Sequence, residues 1–122
     1  MKHLSEEIAA FCERNELASE VQFDLNLSME ELFTNAVRHG GCGGVKEAVR
    51  VRLERKEHAI EAVFSDCGRA FDPTAVPAPD LDAPLAERPV GGLGLHLLRR
   101  IMHDLTYSRS GEWNCITMRR PI

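Results

Sequence analysis

Residues 19–39, SEVQFDLNLSMEELFTNAVRH, constrain the fold of this chain more than any other stretch. Val21, Leu25, Met29, Leu32 and Ala36 recur along it at helical spacing, which predicts one long helix with an apolar stripe. Ser19 with Gln22 has the form of a capping box, and the glycines at 40, 41, 43 and 44 stop the pattern. Such a stripe needs a layer to lie on. Residues 45–54 and 58–65 alternate apolar and polar positions on either side of a short polar turn, as an antiparallel hairpin does. Residues 106–110 and 113–119, around Ser-Gly-Glu, predict a second hairpin.

Two further helices complete the pattern. Residues 3–16 place Leu4, Ile8, Phe11 and Cys12 on one face, with Ser5 as the expected cap. Residues 94–105 turn Leu95, Leu98, Ile101, Met102 and Leu105 inward. Residues 73–91 hold five of the six prolines and no periodicity, which predicts a long loop of the kind that forms lids and binding elements. Helices and strands are segregated along the chain, so the expectation is an α+β fold. Its helices cover one face of a mostly antiparallel sheet, in a single domain spanning residues 1–122.

Bulk properties narrow the function. The 122 residues suffice for one real core, and a net charge of −4 argues against direct nucleic-acid binding. The four cysteines form no C-x-x-C pair, so neither a zinc site nor a redox motif is expected. Apolar runs are too short for a membrane span, and a cytoplasmic location is the expectation. The chain opens directly on a helical pattern, which a piece of a larger signalling protein would also show.

Three places could carry chemistry. Glu31, Asn35 and His39 stand four apart on one helix face, expected to lie opposite the apolar stripe. A carboxylate and a carboxamide there suit a base and a hard oxygen ligand for magnesium and phosphate; a solvated helix face explains the same spacing. In DCGRAFDP, Asp66 ends a strand and Gly68 permits a sharp turn. The ionised carboxylate accepts hydrogen bonds only and so suits an amino group; an Asx-type turn is the competing explanation. Cys67 reads as a packed small residue rather than a nucleophile. In VGGLGLHLLRR, glycines 91, 92 and 94 precede a helix whose first N–H groups could hold an anion. His96 and His103 on that helix read as exposed or half-packed residues rather than metal ligands.

In order and spacing these stretches resemble the Bergerat-fold (GHKL) ATPases, the superfamily of gyrase, the heat-shock chaperone ATPases and histidine kinase catalytic domains. EELFTN is similar to that family's E-x-x-x-N box, DCGRAFDP to its first glycine box, and GGLGL to its second. Compact size, TNAVRHG and GLGLHLLRRIMHDLTYSR make the chain most similar to the anti-sigma factor serine/threonine kinases of bacteria. The resemblance implies a two-layer Bergerat sandwich that uses ATP and Mg²⁺. Asn35 would coordinate Mg²⁺, and Glu31 would act as general base. Asp66 would accept the adenine amino group, and Gly68 would let the base approach. His39, Ala70, Phe71, Leu93 and Leu95 would complete the nucleotide site. Gly92 and Gly94 would frame the phosphates, residues 73–91 would form the lid, and Thr117 would stand near the adenine. The implied partners are a small antagonist protein phosphorylated on serine or threonine, a sigma factor, and a second copy of the chain. In this chain Ala70 stands where a second glycine is usual, and the first helix carries Arg14 as its only arginine. An ATP-binding regulatory module without kinase activity is the alternative expectation.

Overall fold

The computed structural model describes residues 2–39, 49–75 and 92–122, with side chains at 3–37, 49–75 and 95–122. Its elements are α1 (Lys2–Arg14), α2 (Ser19–His39), β1 (Val49–Arg55), β2 (Ala59–Asp66), a 3-10 turn (Pro73–Ala75), α3 (Gly92–Ile101), β3 (His103–Ser110) and β4 (Trp113–Pro121). The strands form one antiparallel sheet in the order β1-β2-β4-β3. Among the described residues the fold is α+β, three α-helices and one four-stranded antiparallel sheet, the class expected from the sequence. No helix among the described residues is long and apolar enough to cross a membrane.

Alternation along the strands decides which side chains enter the core. In the two middle strands Ala62 pairs with Met118 and Phe64 with Ile116, and all four are buried. They meet Ile8, Phe11 and Cys12 from α1, Val21, Leu25, Met29 and Leu32 from α2, and Leu98 and Met102 from the α3 end. Burial pushes the Cys12 thiol up from its ordinary pKa, as expected of an inert core cysteine. The inward stripe ends in polar residues. At one end Arg120, opposite Ile60, donates from Nε to Asp24 of α2 at 2.9 Å, with both side chains largely buried. That pair fixes the long helix across the sheet. At the other end stand Asp66 and Asn114. On the opposite sheet face the Arg50 guanidinium lies 4.2 Å from the Trp113 ring centroid, a cation–π contact.

The helix ends differ from the sequence expectation. The first helix begins at Lys2, so Ser5 lies inside it rather than at its cap. It ends in a Schellman arrangement, with Leu17 N–H bonding Cys12 O at 2.9 Å and Glu16 at φ 54°. At α2 the carbonyl of Ala18 accepts from Val21 and Gln22 N–H, which makes Ala18 the cap and puts Ser19 one position too late for a capping box. The third helix stops at Ile101 instead of reaching 105. His103 is already paired with Arg119, and Asp104 takes φ 55° where the β3–β4 register shifts. Its carboxylate accepts from Arg119 Nε at 2.8 Å. The second hairpin turns at Gly111, φ 60°, a conformation glycine adopts without strain. Cys67 is disulfide-bonded, which corrects its reading as a packed thiol. The expectations on Gly40, Gly41, Gly43, Gly44 and residues 76–91 lie outside the described residues.

Two substitutions follow from the helix ends. Glu16→Gly relieves a left-handed non-glycine residue, and Ala18→Ser supplies a missing cap. Each is expected to raise the unfolding free energy by about 1 kcal/mol, read as a higher urea midpoint at constant m-value.

Candidate functional site

Strand alternation and helix periodicity bring one set of polar side chains to the end of the core. Asp66 continues the inward parity of Ala62 and Phe64 on β2, and Asn114 that of Ile116 and Met118 on β4; the two are direct cross-strand partners. Above them passes α2. Asn35 is buried, one turn beyond Leu32 and next to Ala36. It therefore belongs to the edge of the apolar stripe, not to an opposite, solvated face. Together these residues line a narrow cleft of about 20 Å³ in this structure. Leu32, Ala36, Phe64, Phe71, Pro73 and Ile116 give it apolar walls, and Asn35, Asp66, Arg69 and Asn114 its polar groups. Apolar walls with a few converging polar groups are the usual form of a small-molecule site.

The hydrogen bonds orient the polar groups. Asn35 Nδ2 donates to the backbone carbonyl of Glu31 at 2.9 Å. The side-chain nitrogen is thus engaged by its own helix, and Oδ1 is the atom left to serve as an acceptor or a metal ligand. Asp66 Oδ1 accepts from Gly68 N–H at 2.8 Å and from Asn114 Nδ2 at 3.1 Å. The first bond is the Asx turn expected from DCG, so the turn and the site are one structure rather than alternatives. Among the described residues Oδ2 accepts none. Beyond the cleft, Asp72 Oδ1 accepts from Thr74 N–H at 2.8 Å and Oγ1–H at 2.5 Å, capping the 3-10 turn. Arg99 of α3 donates to Pro73 O at 2.7 Å, tying that helix to the point where the long loop departs.

The residues singled out in the sequence fall into three groups. Asn35, Asp66 and Phe71 line the cleft, with Gly68 buried in the turn beside it. Glu31 is half-buried and stands outside the lining, one helical turn before Asn35; Ala70 is exposed and also outside it, and Leu95 is buried in the core. Gly92, Leu93 and Gly94 form the first turn of α3; their side-chain positions and that of His39 lie outside the described set. His96 is half-buried and His103 exposed, as read from the sequence. Among the described residues no three His, Cys, Asp or Glu side chains gather as a metal cluster.

Thr117 requires correction. It pairs with Val63 and lies on the sheet face away from the helices, in a shallow hollow with Arg50, Ser65 and Cys115. Its parity is the reason: with Ile116 and Met118 inward, residue 117 must point outward. The β4 residue that meets Asp66 is Asn114, which the sequence reading missed. Carrying the inward parity of Ile116 back by one pair would have found it.

The family model for the histidine kinase-like ATPase domain matches residues 1–120. Serine/threonine-protein kinase BtrW of Bordetella bronchiseptica is 32% identical over 105 residues, covering 86% of this chain and 74% of the relative. No solved structure matches the chain.

The geometry separates two threshold cases. Asp66→Ala leaves Gly68 N–H and Asn114 Nδ2 without their acceptor and is expected to destabilise by about 1–3 kcal/mol. Thr117→Val, on the open face, is expected to stay within about 0.5 kcal/mol of the unaltered chain. Urea unfolding of the two variants measures both.

Proposed function

We infer the function from one premise: this chain belongs to the histidine kinase-like ATPase domain family. Membership and the kinase relative support ATP use and kinase-like activity. The finer reading proposed here is an ATP-dependent serine/threonine-protein kinase of the anti-sigma factor type. It phosphorylates a small antagonist protein and regulates a sigma factor by exchanging partners.

The observation that carries the reading is the cleft itself. Asn35 and Asp66, from a helix and a strand end far apart in sequence, line one apolar slot with their acceptor atoms oriented by hydrogen bonds. Asp66 Oδ2 suits the 6-amino group of adenine, since an ionised carboxylate accepts and cannot donate. The apolar walls suit a purine ring. Asn35 Oδ1, a hard oxygen donor, is the atom that would hold Mg²⁺. When bound, that ion supplies neutralisation of phosphate charge. The start of α3 at Gly92 is a helix N-terminus, which suits an anion. Glu31 takes the proton of the attacking serine or threonine hydroxyl. Its oxygen bonds to the γ-phosphorus as the bond to the β,γ-bridging oxygen breaks, leaving ADP. Residues 73–91 serve as the lid.

A regulatory module that binds ATP without transferring phosphate is the second reading. The position of Glu31 outside the cleft lining favours it.

Asn35→Ala and Asp66→Asn are expected to weaken Mg-ATP binding at least tenfold in calorimetry, while Thr117→Val leaves it unchanged. Absence of any binding heat in the unaltered protein would overturn the reading. Transfer of radiolabel from ATP to a cognate antagonist, abolished in Glu31→Ala, is the expected kinase result. Binding without transfer selects the regulatory module.

A further inference from the structure

Asn114 is buried at 3% exposure and bonds more groups than any other side chain described in this structure. Its Oδ1 accepts from Tyr107 O–H at 2.5 Å, from an Arg109 guanidinium N–H at 3.1 Å and from Phe71 N–H at 3.4 Å. Arg109 can only donate, so the amide orientation is fixed: Oδ1 faces β3 and Nδ2 faces the turn after β2. Nδ2 donates to Arg69 O at 2.8 Å and Asp66 Oδ1 at 3.1 Å, with Gly68 O at 3.4 Å. Arg109 adds a second tie, donating to Gly68 O at 2.7 Å.

One carboxamide therefore holds the whole turn from Asp66 to Phe71 by contacts at both ends and in the middle. The turn also has its own bond from Gly68 N–H to Asp66 Oδ1 and the disulfide at Cys67. A carboxylate at a strand end rotates about its side-chain torsions unless both sides of one oxygen are held. Here Gly68 N–H and Asn114 Nδ2 hold Oδ1, and Oδ2 is left to face a ligand.

We propose that Asn114, backed by Tyr107 and Arg109, is the positioning residue for base recognition: it fixes the Asp66 carboxylate so that Oδ2 selects purines bearing a 6-amino group. This rests on the nucleotide-binding reading above. Asn114 acts through Asp66 and need not touch the base. Its replacement frees the carboxylate to turn, and the energetic reward for the amino group falls more than the affinity for the rest of the nucleotide.

The test is the ratio of affinities for ADP and for purine riboside 5′-diphosphate, which differs only in lacking the 6-amino group. Calorimetry on the unaltered chain is expected to favour ADP by about 10- to 100-fold, the range of a hydrogen bond to a charged acceptor. In Asn114→Ala the ratio falls to within about threefold. Tyr107→Phe removes only the hydroxyl that anchors Oδ1, retains the half-buried ring, and lowers the ratio by about two- to fivefold. It decides the matter if the alanine variant does not fold. A purely structural role would weaken both ligands equally, so an unchanged ratio in the folded variants overturns the proposal while leaving nucleotide binding intact. An unaltered chain that binds neither nucleotide overturns both.

Discussion

The pairing of β2 with β4 is the constraint on which the rest of the structure depends. It aligns Ala62 with Met118 and Phe64 with Ile116, which builds the floor of the core. The same register sets Asp66 against Asn114 and Ile60 against Arg120, so each end of the floor closes with a polar residue that has a partner. A slip by one residue would turn Asp66 and Asn114 outward and place Val63 and Thr117 beneath the helix. Apolar packing therefore determines where the chemistry stands: the residues that fill the core hold the register, and the register delivers the carboxylate.

The two polar ends do different work. Arg120 and Asp24 are a cation and an anion sharing one oxygen in a largely buried setting. Such a pair contributes orientation more than net stability, since desolvation offsets much of the attraction. Asn114 is neutral and can be both donor and acceptor. That lets it join a carboxylate, two carbonyls, a hydroxyl and a guanidinium without leaving a charge in the core. The site side of the sheet is thereby cross-linked by hydrogen bonds, with Asp66 as the acidic residue of the lining among the described residues.

Much of the fold was legible because periodicity reports burial directly. The stripe of α2, the two hairpins and the inward face of α1 follow from spacing alone. Ends were less legible. The caps at Ser5 and Ser19 were read from residue type, whereas the chain places helix starts by where the first carbonyl finds an N–H, at Ala18 in the second case. The third helix was read too long because Leu105 suits a helix stripe and a strand equally, and the pairing of His103 decides between them. In the site, Asn35 and Asp66 stand out by residue type and spacing and line one cleft, but periodicity misplaces Asn35 on the polar face when it lies at the edge of the apolar stripe. Thr117 was named by chemical type without regard to its parity. Asn114 was missed because its importance lies in partners from β2, β3 and the intervening turn, none near it in sequence except Tyr107 and Arg109.

The bond from Arg99 to the Pro73 carbonyl has a consequence for how this chain can change. It fastens α3 to the 3-10 turn after β2, a tie made between residues on either side of positions 76–91. Closing a longer loop across such a fastening adds only about 0.6 kcal/mol for each doubling of its length. Changes of length between residues 76 and 91 therefore carry only a small entropic cost. Descendants of this sequence can vary in length there while this tie stays as it is.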